Sequence, residues 1–247
     1  MKVYWLERKA VDVPSNETWL SAIEIDHLRA LRFAKRRADW LLGRWTAKNA
    51  VAAYFGLSAE PKALADIEVR QQPSGAPKAF LQSEPMCVSI SLSHRAGLAA
   101  CAVAPVFVRL GCDLEVAEPH SDAFLTDYFT PEEQAMTFRA EPANRTWLLS
   151  LLWSAKESAL KALEEGLRLD TRCLTVYLPD AGASNKNGSR EVPRSINGDS
   201  FDRNRWNRIR VHKVNAEILN GWWNQAGTLL RTLVAVPDPA PPDFFPS

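Results

Sequence analysis

The sequence lacks the features that mark exported and membrane-spanning proteins. No uninterrupted apolar run approaches the roughly 20 residues that a transmembrane helix needs. The first ten residues include Lys2, Glu7, Arg8 and Lys9 without an apolar run, so no signal peptide is predicted. The four cysteines are scattered and form no C-x-x-C pair, which indicates free thiols in a reducing compartment. We therefore expect a cytoplasmic protein that has no membrane partner.

Excess charge and clustered histidine are also missing. The 30 basic and 29 acidic residues give a formal net charge of +1, so any basic surface is local and a nucleic-acid partner is not expected. The four histidines lie far apart and have no zinc-site spacing. There is no G-x-S-x-G motif, which argues against a serine hydrolase built on a nucleophile elbow.

What is present is enough apolar sequence for a large core, with helical and strand patterns mixed along the chain. The 247 residues suffice for one large domain or two small ones. The pattern W-[ST]-A-K occurs at residues 45–48 and again at 153–156, each time late in a predicted helix. We predict the α+β class, with two similar halves at 1–108 and 109–247 related by a pseudo-twofold repeat. A chance match of four residues is the alternative.

Local patterns predict several element boundaries. A long helix is predicted from His27 to Phe55, with Gly56 as its stop, and a second from 145 to 165. Residues 93–97 read as a turn between two strands.

Two segments read as irregular. Residues 180–204 are rich in Ser, Asn, Gly, Asp and Arg and are predicted to form a long polar loop. The tail 237–247 holds five prolines and is predicted to lack regular structure.

The strand predicted at 106–116 contains the motif G-x-D-x-E. Because alternate strand residues share a face, Asp113 and Glu115 point the same way. Two neighbouring carboxylates repel each other unless a cation lies between them, and Mg²⁺ prefers oxygen ligands. An isolated D-x-E is more often a solvent-facing edge, but Gly111 permits close backbone approach and Glu157 supplies a third carboxylate.

The predicted helix around residues 153–161 carries the strongest chemical pattern. Glu157 and Lys161 are four residues apart and share a helix face, and Lys156 lies next to it. Three carboxylates and two lysines form a plausible site for a Mg²⁺-bound diphosphate.

Two further stretches are candidate phosphate contacts. Ser93 and His94, with Arg95 beside them, could present several donors to one phosphate, although a lone histidine is more often structural. The basic helix at 29–48 is either an ordinary solvated face or a dock for a phosphate or an acidic partner protein.

Taken together, these stretches resemble the 4′-phosphopantetheinyl transferases of the larger, pseudo-duplicated type. The family motif G-[IV]-D-[IV]-E is matched by residues 111–115, and W-[SA]-x-K-E-[SA]-x-x-K is matched in full by 153–161. The S-H pair at 93–94, F-x-[KR] at 33–35 with G-R at 43–44, and G-x-P at 75–77 also match.

The resemblance implies a function and a set of partners. The enzyme would transfer 4′-phosphopantetheine from coenzyme A to a serine of an apo acyl or peptidyl carrier protein, releasing 3′,5′-ADP. Mg²⁺ would be its cofactor, and a monomer is expected because two halves of one chain can complete the site.

The resemblance also implies residue roles. Asp113, Glu115 and Glu157 would hold Mg²⁺, and Glu157 would be the base for the carrier serine. Lys156 and Lys161 would contact the phosphates, with Lys161 stabilising or protonating the leaving 3′,5′-ADP. The residues expected at the rest of coenzyme A are Lys35, Lys48 and His94 at the 3′-phosphate, and the backbone around Ala76 at the adenine.

The chain departs from the family pattern within and near this site. Cys112 and Leu114 replace the usual Ile or Val of the G-[IV]-D-[IV]-E motif, which preserves its alternation. The family usually has G-x-G-L after the lysine helix, whereas this chain has Glu164 in place of the first glycine. This change bears on the loop that contacts substrate and so on carrier preference.

Two other classes compete with the transferase. A different Mg²⁺-dependent phosphoryl-transfer enzyme or nuclease with a D…E-x-K core needs a lysine two residues after the acid, but Ala117 follows Glu115 at that distance. A non-catalytic protein that only docks carriers need not keep all three carboxylates and both lysines.

Overall fold

The computed structural model describes residues 1–165, 168–179, 205–214 and 217–245. Its helices are α1 (Ala22–Ala30), α2 (Ala34–Phe55), α3 (Pro61–Leu64), α4 (Asp122–Tyr128), α5 (Pro131–Arg139) and α6 (Pro142–Ala162). Its strands are β1 (Tyr4–Lys9), β2 (Ile67–Gln71), β3 (Pro77–Leu81), β4 (Glu84–Pro85), β5 (Val88–Arg95), β6 (Leu98–Pro105), β7 (Arg109–Val116), β8 (Leu174–Tyr177), β9 (Asn207–Lys213), β10 (Ile218–Ala226), β11 (Leu229–Val236) and β12 (Asp243–Phe244). The polar segment predicted at 180–204 lies outside the described residues.

The strands form three sheets with the orders β12-β1-β6-β5, β7-β11-β10-β9-β8 and β2-β3-β4. The pairings are antiparallel except for the parallel pair of β12 with β1. Long helices packed on such sheets confirm the predicted α+β class.

Each long helix covers one part of the sheet system with a separate core. α2 packs on β1, β6 and β5, and its cluster includes Trp45 and Val51. α6 packs on β7 and β11, and its cluster includes Leu148 and Leu160. A third cluster, which includes Trp5, joins β1 and β6 to β7 and β11.

The helix predicted from His27 to Phe55 is in fact two helices, α1 and α2. The chain becomes extended after Ala30, and the Arg37 guanidinium donates a 2.6 Å hydrogen bond to the carbonyl oxygen of Leu28 at the end of α1. This bond satisfies one of the carbonyls that a helix end leaves open, which the sequence pattern did not indicate. The predicted stop is confirmed, because Gly56 caps α2 with φ +66°.

The turn predicted at 93–97 is shorter than expected. Ser93, His94 and Arg95 are the last residues of β5, and only Ala96 and Gly97 form the turn, with φ of 51° and 74°. The pair of left-handed residues fits a two-residue hairpin, which keeps the preceding residues in the strand.

The tail also differs from its prediction. Asp243 and Phe244 form the short strand β12, which pairs with Tyr4 and Trp5 of β1. The prolines lie outside these two residues, so the backbone donors needed for the edge pairing are available.

A buried ion pair ties α2 to the start of α1 and to β2. Lys48, fully buried, pairs with Glu24 and donates a 2.8 Å hydrogen bond to the carbonyl oxygen of Trp19. The same glutamate forms a capping box with Ser21 and accepts a hydrogen bond from the backbone N–H of Val69 at 3.2 Å. Burial lowers the pKa of Lys48, and the attraction of Glu24 opposes that shift.

A second buried pair ties α6 to α5 and β8 in the same manner. Lys156, fully buried, pairs with Glu133 at 2.7 Å and donates to the carbonyl oxygen of Tyr128 at 3.1 Å. Glu133 forms a capping box with Thr130 and accepts from the backbone N–H of Val176 at 2.9 Å. Burial likewise lowers the pKa of Lys156, opposed by Glu133.

None of the helices within the described ranges combines the length and apolar character that crossing a bilayer requires.

Candidate active site

The helix α6 lies directly on the strand β7 at Gly111. A Cβ added to this glycine would lie 1.8 Å from the carbonyl oxygen of Ser158 and 2.6 Å from the backbone nitrogen of Ala162. Only a residue without a side chain permits such an approach. The close packing brings the polar residues of α6 next to those that follow Gly111 on β7, as the sequence indicated.

Asp113 lies at the centre of this contact and is buried. Its Oδ1 accepts hydrogen bonds from the Ser93 hydroxyl and the Lys161 ammonium, each at 2.8 Å. Its Oδ2 accepts from the Ser154 hydroxyl at 2.9 Å. Donors from β5 and α6 therefore fix the orientation of one carboxylate on β7.

Lys161 is the cation nearest to Asp113. Its ammonium also donates to the carbonyl oxygen of Cys112 at 2.9 Å. Burial lowers the pKa of Lys161, but the attraction of Asp113 and the other anionic groups outweighs it and holds this pKa above its usual value. The ammonium therefore stays charged at neutral pH.

Glu115 is paired with Arg95, at the end of β5. Arg95 Nε lies 2.7 Å from Glu115 Oε1, which also accepts a 2.9 Å hydrogen bond from the backbone N–H of Val116. The Arg95 guanidinium reaches Glu118 as well. Burial raises the pKa of Glu115, and Arg95 only partly offsets this shift.

Glu157 projects from α6 into the same electrostatic environment. Burial raises its pKa, Lys161 opposes the shift, and the charges of Asp113 and Glu115 add to it. The three predicted carboxylates are therefore close enough to repel one another. A buried carboxyl with a raised pKa is suited to accept a proton.

The donor chemistry at these carboxylates fits a hard divalent cation. Burial raises the pKa of both Glu115 and Glu157, and the negative charges of neighbouring carboxylates add to each shift. Among the described residues, no three Asp, Glu, His or Cys side chains converge on one point that would hold a metal. Mg²⁺ usually binds to one or two carboxylates and completes its coordination with water and phosphate oxygens, so a full protein cage is not required.

A cleft of about 420 Å³ includes Lys161 in its wall, whereas Asp113, Glu115 and Glu157 do not line it. Its wall includes Ala76 in the loop before β3, Ser91 on β5, residues 106–110 before and in β7, and Lys161 and Glu164 at the end of α6. The predicted adenine contact at Ala76 and the predicted phosphate contact at Lys161 thus share one cavity.

The other predicted phosphate contacts lie near one another but outside the wall of this cleft. His94 is half-exposed, with Nε2 3.8 Å from Asp39 Oδ2 on α2. Lys35 is exposed in the first turn of the same helix. Ser93 is buried, and its hydroxyl accepts from the backbone N–H of Leu114 at 3.1 Å while donating to the aspartate described above.

The positions of Lys48 and Lys156 contradict their predicted contacts with phosphate. Neither side chain is exposed, and both ammonium groups bind glutamate and carbonyl oxygens of the interior. A lysine on a largely apolar helix can extend its ammonium to solvent or form a buried ion pair. The sequence alone does not distinguish these two outcomes.

The structure adds supporting residues that the sequence analysis did not identify. Thr232 on β11 lies 2.8 Å from both Ser154 and Ser158 through their hydroxyl oxygens. Ser91 accepts a 2.9 Å hydrogen bond from the backbone N–H of Cys112. Ser154 and Ser158 lie within the recognised motif, but the role of Thr232 depends on the register of β11 against β7.

Part of the chain is similar to known proteins. The family model described as the 4′-phosphopantetheinyl transferase superfamily matches residues 109–212. A holo-acyl-carrier-protein synthase of Streptococcus sanguinis (strain SK36) is 33% identical over an alignment 103 residues long, and the match covers 34% of this chain and 84% of that protein.

A solved structure is also similar to part of the chain. It is the crystal structure of the Helicobacter pylori holo-acyl-carrier-protein synthase in complex with coenzyme A, with 18% identity and a TM-score of 0.27. The match covers 42% of this chain and 98% of that one.

Proposed function

Since the chain belongs to the 4′-phosphopantetheinyl transferase superfamily and is a transferase, we propose that it modifies an apo carrier protein. The donor is coenzyme A, and the acceptor is a serine hydroxyl of an acyl or peptidyl carrier. The serine oxygen bonds to the phosphorus that bears pantetheine, and the bond from that phosphorus to the leaving 3′,5′-ADP breaks. The serine proton passes to a base on the enzyme.

Glu157 is the proposed base. Its carboxyl is partly buried and its pKa is raised, so it binds a proton more readily than an ordinary glutamate. It lies on α6, within the electrostatic reach of Asp113 and Lys161, so the proton acceptor is close to the groups assigned to phosphate.

Lys161 is assigned to the leaving group. Its pKa is held above the usual value, which makes the ammonium a weaker acid and favours charge stabilisation over proton donation. The buried Asp113 orients it through the 2.8 Å ion pair. An ammonium fixed before the reaction stabilises the negative charge that develops on the departing phosphate oxygen.

Asp113, Glu115 and Glu157 are the proposed Mg²⁺ ligands. When bound, the ion would neutralise the diphosphate and polarise the reacting phosphorus. The mutual repulsion of these carboxylates supports the assignment, because a cation held by them would relieve it.

Coenzyme A is proposed to enter along the 420 Å³ cleft. The backbone at Ala76 would lie along the adenine. Lys35 and His94, which the contact of His94 with α2 brings to the same side, would take the 3′-phosphate. Ser93 is reassigned from coenzyme A to the orientation of Asp113, because its hydroxyl already bonds that carboxylate.

The two halves, 1–108 and 109–247, are proposed to be a pseudo-twofold repeat within a monomer. The buried lysine–glutamate pairs support this reading, because each joins the lysine of a W-[ST]-A-K motif to a glutamate in the capping box of the preceding helix. The order β7-β11-β10 in the second half also corresponds to β1-β6-β5 in the first, whereas β2 and β3 form a separate sheet with β4. In the first half, Asn49 stands where the second has Glu157, so a single site carries the base.

The observation that carries the proposal is the contact between β7 and α6. There the Lys161 ammonium lies 2.8 Å from Asp113 Oδ1 and in the wall of the cleft, and Glu157, whose pKa is raised by burial, interacts electrostatically with both.

A transfer assay with two carriers tests the function. A fatty acid carrier and a peptide synthetase carrier, both in the apo form, are incubated side by side with enzyme, coenzyme A and Mg²⁺. Intact-mass and peptide spectra should show the mass of one phosphopantetheine on a single serine, with 3′,5′-ADP formed in equal amount. Carriers that remain unmodified, with an enzyme of native circular dichroism, would contradict the proposal.

A further inference from the structure

Arg95 is a cation that the proposed mechanism does not use. It ends β5, just before the Ala96–Gly97 turn, and its guanidinium reaches across to the end of β7 and the residues just after it. It contacts two carboxylates there, Glu115 through Nε at 2.7 Å and Glu118 through Nη2. The two acceptors differ in exposure: the Glu115 side chain is 14% exposed and that of Glu118 is 50% exposed.

The inner acceptor of this bridge is one of the three carboxylates proposed to bind the metal. Glu115 Oε1 already receives the Arg95 N–H and a backbone N–H of Val116. A guanidinium and a divalent cation on the same carboxylate oxygen repel each other and compete for its lone pairs. A metal that takes this oxygen therefore has to displace the Arg95 N–H from it.

The outer acceptor offers the guanidinium an alternative partner. Glu118 is exposed and belongs to neither the cleft wall nor the proposed metal ligands. An arginine has separate N–H donors on a rigid fork, so it can release one carboxylate and keep the other. Loss of the inner contact alone therefore leaves the charge of Arg95 paired.

We propose that Arg95 is a tethered cation that holds Glu115 in the metal-free enzyme and moves wholly onto Glu118 when a divalent cation binds. Arg95 is thus a positioning residue: it keeps the buried carboxylate paired before loading and sets the affinity for the metal. This inference rests on the proposed metal site and concerns only how this chain prepares it.

The test measures binding of MnCl₂ and MgCl₂ to the purified full chain without coenzyme A, by calorimetry and by the electron paramagnetic resonance signal of free Mn²⁺. The variants are Arg95→Gln, which removes the charge and the guanidinium, and Arg95→Lys, which keeps the charge but loses the separate N–H donors of the guanidinium. Both should bind the cations about three- to tenfold more tightly than wild type, because the ion pair that competes is lost or weakened. Glu118→Gln should bind them more weakly, because it leaves the guanidinium on Glu115.

The lysine variant separates competition from a general charge effect. If only Arg95→Gln binds more tightly, the effect is long-range electrostatics and the proposal is wrong. Unchanged affinity in both variants also overturns it. If wild type and all variants bind neither cation, both the proposed metal site and this inference fail. If wild type binds a cation and the variants bind it with the same affinity, only the proposed role of Arg95 fails.

Discussion

At the scale of single residues, Gly111 determines whether the site can form. A β-carbon there would collide with the backbone of α6, since it would lie 1.8 Å from the Ser158 carbonyl oxygen. Gly111→Ala should therefore lower the free energy of unfolding by about 3 kcal/mol, through displacement of α6 from β7. Urea unfolding measures this loss. Gly43→Ala is the matched control: nothing lies within 4 Å of the added carbon, and alanine in a helix should stabilise by about 0.5–1 kcal/mol. Equal effects of the two substitutions would contradict the packing described here.

Glu157 illustrates a residue whose function costs stability. Its folded pKa is raised above the usual 4.5, so folding favours its protonated form. The stability contributed by the protonated carboxyl is present below the usual pKa and is lost as the pH rises through the pKa of the folded state. At neutral pH the ionised carboxylate is therefore destabilising. In metal-free buffer, Glu157→Gln should thus raise the melting temperature at neutral pH, and the gain should shrink as the pH falls towards the usual glutamate pKa. Thermal unfolding of both proteins over this pH range measures the difference in melting temperature. A difference that grows as the pH falls would contradict the raised pKa of Glu157.

At the scale of elements, the long helices and their buried lysines carry the fold. Lys48→Met and Lys156→Met each leave a buried glutamate without its paired cation. Each substitution should therefore lower the free energy of unfolding by about 3–5 kcal/mol. The double variant Glu133→Gln/Lys156→Met should recover part of the loss, because it removes both charges and keeps a cap acceptor. Chemical unfolding gives these energies, and steady-state kinetics gives the KM for coenzyme A. A raised KM with unchanged stability would restore the phosphate role that the structure removes from these lysines.

For these elements, the sequence predicts the local features of the site but not the contacts between distant residues. The alternation of G-x-D-x-E predicted a strand with two carboxylates on one face, and the four-residue spacing of Glu157 and Lys161 predicted a shared helix face. Both patterns are local. The burial of Lys156, the Thr232 hydroxyl and the bridge from Arg95 to Glu118 all depend on contacts between residues far apart in sequence. Neither propensity nor spacing encodes such register, so these features emerged only from the structure.

At the scale of the whole molecule, the C-terminal tail and one ion pair join the parts of the chain. Arg231 on β11 pairs with Glu7 on β1, with Nη2 3.0 Å from Oε2. Phe245 is buried and stacks on Tyr4, with ring centroids 5.1 Å apart. The last residues of the second predicted half therefore complete the sheet of the first, which ties the chain ends together.

This arrangement predicts that the tail is needed for stability. Phe245→Ala should reduce the free energy of unfolding by about 3 kcal/mol, since it empties a site against β1. The exposed Phe107, 70% accessible, provides the control, and Phe107→Ala should change stability by less than about 0.5 kcal/mol. Denaturant titration of the two variants compares them directly. An unchanged free energy of unfolding for Phe245→Ala would mean that the packing of this tail residue against Tyr4 does not stabilise the fold.

The account as a whole claims that the carboxylates and lysine between β7 and α6 perform the transfer. The most direct test is the single-turnover rate of phosphopantetheine transfer to an apo carrier by Glu157→Gln, with saturating coenzyme A and Mg²⁺. We predict a loss of about 10²–10⁴-fold with native folding, because the proton acceptor is removed. Glu141→Gln, an exposed position at the start of the same helix, should transfer at the wild-type rate. A Glu157→Gln enzyme that transfers as fast as this control would contradict the site.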